Sequence, residues 1–319
     1  MKKIIFLVIS AAIFILGAVA SVQAADSQTT NRVINIVGSS FPEYDFARAI
    51  VGDQANVTML TPPGASVHSF EPSPYDIIRI QNADIFIYVG GESNAWVKRI
   101  LDSIDTSNMR IIRLMDYVEI MLEEIKEGME VELEDEDKND EDELEYDEHI
   151  WTSPKNAIKL IDVICGIICE IDSTNDTLYR DNAAKYKDEL RKIDNEISEI
   201  VNKAVRKIIV VADKFPFLYF VREYGLDYAA AFPGCSDQVD AGIRTILHLV
   251  KTVEVGEIPY VYHVELSNQS VAAAISEQTG AGMLQLNSCH NLSKTDFEAD
   301  MTYLDLMRQN IENLKKGLW

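Results

Sequence analysis

The chain reads as an α/β protein, with two Rossmann-like lobes built on parallel sheets and joined by a long helix. Three observations predict this. Short apolar runs alternate with helix-like segments from Val33 to about Gly91, and the same alternation returns from Ile208 to about Leu286. Between them, Thr177 to Lys203 contains no glycine or proline and repeats apolar residues at helical spacing. Strands that alternate with helices favour a parallel sheet covered on both faces, and ligands gather beyond the carboxyl ends of such strands.

The first 24 residues, MKKIIFLVISAAIFILGAVASVQA, place two lysines before an apolar run and end in small residues. That pattern predicts a secretory leader cut after Ala24, with an uncleaved membrane anchor as the alternative. No cysteine precedes Cys165, which argues against a lipid-modified cysteine at the cut. The first lobe is expected over 33–174. Its opening strand, VINIV, leads into SSFPEYDFARAIVGD, a loop and an amphipathic helix, and VTMLT supplies the next strand. Pro62, Pro63 and Gly64 end that strand, Pro72 and Pro74 bracket a helix start, and ADIFIYVGG reads as a buried strand entering a glycine turn.

An acidic loop follows over 123–148, where sixteen carboxylates face two lysines. Such a run is read first as a solvating segment, with weak and unselective cation capture as the second reading. A helix is expected from Pro154 to about Ile171. The linker helix, 175–203, should carry its apolar face on Leu178, Tyr186, Leu190, Ile193, Ile197 and Ile200 and measure about 40 Å. The second lobe, 204–319, runs IIVVA, FLYFVREYGL, DYAAAF, AGIRTILHLVKTVEV, YVYHVEL, VAAAISEQTG and GMLQL in strand and helix alternation.

A net charge of −23 makes the chain repel nucleic acid and attract cations. Cys165 and Cys169, four apart in an apolar helix, are expected as small core residues. Cys235 and Cys289 both lie in turn-like loops and can pair if the fold unites those loops. Among the histidines, His248 falls within a helix and is expected to be structural. His263 alternates with its neighbours on a strand, whose face Glu265 would share.

Two phrases carry chemistry. GASVHSFEPSP, followed by ADIFIYVGG, sets His68 in a loop rich in proline and glycine. DEHIWTSP, Asp147 to Pro154, sets His149 directly after the acidic run. Together they resemble the metal-binding segments of the substrate-binding proteins of zinc and manganese ABC importers, over nearly all of the chain beyond the leader. The resemblance implies that His68 and His149 ligate a metal, and that the linker helix is rigid and stiffens the two lobes. It also implies that the chain delivers its ion to an ABC permease from outside the cytoplasmic membrane, as a monomer.

The match departs from the family pattern in three places. Glu148 stands where the family has proline. The segment ADKFPFLYF puts Ala212 at the family's third ligand position, with Asp213 beside it as a substitute ligand or a helix cap. LQLNSCHN puts Asn287 where an aspartate is usual, and His290 follows it. The expected ligand set is therefore His68, His149 and His290, with Asp213 as a fourth. Glu265 matches a residue that supports the site in this family without ligating. Three imidazoles suit Zn2+, and Mn2+ is the alternative if carboxylates dominate. A zinc hydrolase is the competing class, although the chain has no HExxH helix.

Overall fold

The computed structural model describes residues 32–129, 145–234 and 240–319, and Val33–Trp319 makes one compact unit. The expected leader lies outside the described residues, as do most of the acidic loop and Cys235.

In the first sheet, β1 (Asn35–Gly38) is followed by α1 (Phe41–Val51), β2 (Asn56–Met59), α2 (Pro74–Gln81), β3 (Ile85–Tyr88), α3 (Ala95–Leu101) and β4 (Arg110–Arg113). Two long helices come next, α4 (Pro154–Ile171) and α5 (Asp176–Lys203). The second sheet and its helices comprise β5 (Ile208–Lys214), α6 (Leu218–Tyr224), β6 (Asp227–Phe232), α7 (Ile243–Val255), β7 (Tyr260–His263), α8 (Ser270–Thr279) and β8 (Gly282–Gln285). The chain ends with α9 (Lys294–Glu298) and α10 (Tyr303–Leu318).

Both sheets are parallel and share one topology, β2-β1-β3-β4 in the first and β6-β5-β7-β8 in the second. In each, the strand order reverses beside the first strand of the unit, which opens a crevice at the carboxyl ends. The α/β architecture of two parallel sheets is thus the one read from the alternation.

Local chemistry explains where the helices begin. Ser40 donates from N and Oγ to Glu43 at the start of α1, and Ser73 accepts from Asp76 N ahead of Pro74 at the start of α2. At α4, Ser153 accepts from Asn156 N, and Pro154 occupies the first turn, where no N–H is needed.

The linker helix α5 buries Tyr179, Ala183, Tyr186, Leu190, Ile193, Ile197 and Ile200, a regular alternation of three and four residues. Leu178, expected on that stripe, is exposed instead, because it sits one residue off the repeat that Tyr179 begins. The buried face packs on α1, α4 and α10. One hydrophobic cluster includes Ile36 and Ile87 of the first sheet, Leu190 and Ile197 of α5, and Val211 and Leu286 beside the second sheet. The core is therefore continuous from one sheet to the other.

Three elements were not evident from patterning. Strand β4, RIIR, buries only Ile112, so it shows no apolar run. Helix α3 is short, and α10 carries its apolar face among many charged residues. Strand β7 stops at His263, so Glu265 lies past its end rather than on its face, with Leu266 next to it at φ 61°.

Candidate metal centre

Three loops converge beyond the carboxyl ends of the two sheets. His68 comes from the loop after β2, which is fastened to the other half of the molecule. Asn291 Nδ2 donates to the carbonyls of Pro62 (2.9 Å) and Ala65 (2.8 Å), and Gly64 N donates to Leu292 O (2.9 Å). At Gly64 the chain turns with φ 83°, a conformation open to glycine at little cost.

His149 stands just before a tight turn, Ile150–Thr152, that leads into α4. Thr152 N and Oγ1 both donate to His149 O, and Asp147 Oδ1 accepts from His149 N (2.7 Å). The same carboxylate oxygen lies 3.0 Å from His149 Nδ1, which fixes the ring and leaves Nε2 directed away from Asp147.

His290 follows β8 in the stretch Leu286–Asn291. Glu265 holds this stretch by accepting from Ser288 N (2.7 Å), Ser288 Oγ (2.5 Å) and His290 N (3.2 Å). Cys289 sits between them at φ 59°, a backbone state costly for a residue with a Cβ. From the other side, Trp151 Nε1 donates to Ser288 O (2.8 Å) and its ring lies 4.7 Å from the His290 ring. Asn287, at the family's aspartate position, turns into the core and pairs with Asn310 of α10.

The three imidazoles meet with ring centroids 5.8 Å (His68 to His149), 5.2 Å (His68 to His290) and 5.1 Å (His149 to His290) apart. One donor atom from each of His68, Glu148, His149 and His290 falls within 4.8 Å of all the others. The three histidines border a cavity of about 350 Å³ between the two halves. Asp213 also lines this cavity, at the end of β5, and its Oδ2 is buried without a hydrogen-bond partner. It stands outside the four converging donors, and it does not cap a helix, since α6 begins only at Leu218. Ala212 is buried in the core.

Glu148 is the residue that sequence reading missed as a donor. Its one visible sign was the replacement of a family proline by a carboxylate. Its Oε2 accepts from Ser93 N (3.2 Å) and Ser93 Oγ (2.7 Å), while Oε1, 3.4 Å from His68 Nδ1, has no hydrogen-bond partner. Gly91 makes this possible, because a Cβ there would stand 2.6 Å from Glu148 Oε2.

Electrostatics favours the neutral imidazole at His68 and His290. Burial, followed by the charges of His149 and Lys214, pushes the His68 pKa down to about 3, and the same surroundings with His68 added hold His290 well below its ordinary range. Burial also opposes protonation of His149, but Asp147, Glu148 and Glu123 outweigh it and lift its pKa. Burial raises the Glu148 carboxyl to about 7. Nε2 of His290 is buried with no partner, a state that costs free energy until something binds it.

His248 is half-buried on α7, its ring against Gly128, and His263 is buried with Nδ1 3.0 Å from Val264 O. Cys165 and Cys169 are buried free thiols in α4, and Cys289 is likewise a buried free thiol. Its expected partner, Cys235, lies outside the described residues.

A family described as zinc-uptake complex component A, periplasmic (ZnuA), matches residues 36–317. The chain belongs to this family. It is 30% identical over 317 residues to the zinc-binding lipoprotein AdcA of Streptococcus pneumoniae R6, a match that covers 99% of this chain and 61% of that longer protein. The high-affinity zinc uptake system protein ZnuA of Bacillus subtilis 168 is 28% identical over 286 residues, 89% of this chain and 88% of its own length. Among solved structures, the Zn(II)-bound ZnuA-like domain of Streptococcus pneumoniae AdcA aligns with a TM-score of 0.73 at 28% identity, over 90% of this chain and 99% of that one. The metal-dependent lipoprotein YcdH of Bacillus subtilis aligns at 0.75 with 26% identity, over 90% of this chain and the whole of that one. The chain thus spans about three fifths of the AdcA protein and nearly all of the shorter relative.

Proposed function

We propose that this chain captures Zn2+ in the crevice between its two sheets and hands it to an ABC permease from outside the cytoplasmic membrane, acting as a monomer. The observation that carries this reading is the convergence of the His68, His149 and His290 rings, drawn from three separate loops, on one point. Neutral imidazoles are the required form for ligation, and the electrostatics favours it at His68 and His290. The relatives named for zinc binding and zinc uptake support the choice of ion and of importer.

Function here is coordination without turnover. Division into lobes at 33–174 and 204–319, with 175–203 between them, puts two ligands on one lobe and the third on the other. Three nitrogens favour zinc over manganese, which asks for more oxygen donors and a larger shell. Asp213 is the carboxylate that such a larger shell would recruit. Among the described residues no helix is long and apolar enough to cross a membrane.

The test is a zinc titration of purified chain against a competing chelator, with metal content measured on the same samples. One tightly held equivalent is expected, lost in His68→Ala and in His149→Ala. Binding that survives both substitutions sinks the proposal, and ester or peptide turnover by zinc-loaded protein that vanishes in His68→Ala would assign it to the hydrolases instead.

A further inference from the structure

We infer that Glu148 is the fourth ligand of the site, bound through one oxygen only, and that this single-point attachment biases the site toward zinc. The inference rests on the proposed zinc-binding role and adds the residue that completes the shell.

Four observations meet at this side chain. It is fully buried, between Gly91 on one side and the His68 ring on the other. Its two oxygens have different surroundings: Ser93 saturates Oε2 from N and Oγ, whereas Oε1 has no hydrogen-bond partner. Oε1 belongs to the side that faces His68, and Glu148 contributes one of the four donors lying within 4.8 Å of one another. Finally, glycine at 91 is the residue that lets the carboxylate lie this close to the backbone.

Charge argues the same way. Three neutral imidazoles would leave both charges of a zinc ion in a buried site whose potential Lys214 already raises. A carboxylate in the shell offsets one of them. Because Ser93 holds Oε2 in place, Glu148 can offer the ion Oε1 but not both oxygens. Three nitrogens and one oxygen make the tetrahedral set that zinc adopts. A cation that prefers six oxygen-rich ligands does not find the second oxygen of Glu148, which Ser93 holds.

A crystal structure of the zinc-loaded wild-type chain decides the assignment without relying on a variant. Oε1 is expected at about 2.0–2.2 Å from the ion. An ion held by the three imidazoles with water in the fourth position, and Glu148 Oε1 off the ion, overturns the inference but leaves the zinc-binding role standing. No ion among the three rings would overturn both.

Two variants give an independent reading in solution. Glu148→Gln keeps an acceptor and a donor for Ser93 and is expected to weaken zinc binding by more than about a hundredfold, beyond what loss of an outer orienting group produces. With cobalt as the probe, its absorption spectrum should change as well. An unchanged cobalt spectrum in Glu148→Gln counts against ligation. Ser93→Ala frees Oε2 and should narrow the preference for zinc over manganese; an unaltered ratio of the two affinities contradicts single-point attachment.

Discussion

Asp147 Oδ1 lies 3.0 Å from His149 Nδ1 and also accepts from the His149 backbone N–H. One carboxylate oxygen thus fixes both the chain and the ring of a residue at the centre of the site. Tyr219 in turn donates its hydroxyl to Asp147 O at 2.9 Å and accepts from Met121 N at 3.0 Å. This orientation reaches back to α6 in the second half of the molecule.

Replacing Asp147 by alanine should therefore weaken zinc binding by about 10–100-fold while leaving the His149 ring present, since outer partners of ligating histidines have effects of that size. Competition with a chelator measures it. An affinity equal to wild type would mean that the ring is held by its packing alone.

The pH dependence of the metal-free chain follows from two opposite shifts. Glu148 is pushed up to about 7 from 4.5, so the stability tied to its protonated form is complete below pH 4.5 and is lost as pH rises through 7. His149, also raised, acts in the same direction. His68, pushed down to about 3 from 6.5, contributes fully above pH 6.5 and loses its contribution as pH falls toward 3. Between pH 4.5 and 6.5 the slopes oppose each other. Above that interval Tm of the metal-free wild type should fall, and Glu148→Gln should reduce the fall. Thermal melts across the range check the sign. Zinc should reverse the trend, raising Tm more at pH 7 than at acid pH, where protons compete for the same nitrogens.

Trp151 is wholly buried and ties the Ser288 carbonyl to the start of α4. Trp151→Phe retains most of the ring but strands that carbonyl, at a cost of about 1–3 kcal/mol. Because Ser288 sits two residues before His290, zinc affinity should drop together with Tm. A drop in Tm with unchanged affinity would show that the His290 loop keeps its place without the Trp151 hydrogen bond.

Gly91→Ala should displace Glu148. The added methyl would meet Oε2 at 2.6 Å, and position 91 has φ 77°, strained for any residue with a Cβ. Loss of stability and loss of zinc affinity are both expected. If Gly91→Ala bound zinc like wild type, Glu148 would have no part in the site.

Much of the centre was legible because its loops carry distinctive residues. Proline and glycine around His68, and the Trp-Thr-Ser-Pro phrase after His149, have local tasks in turns and caps that leave a mark in any sequence. His290 could be read as a donor because it follows Asn287, which stands where the resembling family carries its last ligand. Glu148 could not be read that way. What makes it a donor is the approach of Gly91 and the grip of Ser93, more than fifty residues away, and neither is a local signal. The same contrast holds for α5. Its period predicts a helix, but only packing distinguishes Tyr179, buried, from Leu178, exposed. Ile197→Ala should cost about 2–5 kcal/mol, whereas Leu178→Ala should stay within about 0.5 kcal/mol. Denaturant melts of the two variants compare them directly.

Among the described residues, one hydrophobic cluster runs from Ile36 through α5 to Leu286 and ties the two halves together, which opposes their swinging apart. On the proposed zinc-binding reading, occupancy would then be registered in side-chain rotations and in the loops bearing His68 and His290. Scattering profiles of the loaded and empty forms should superimpose, and whatever reads the difference must sense the mouth of the crevice rather than the outline of the molecule.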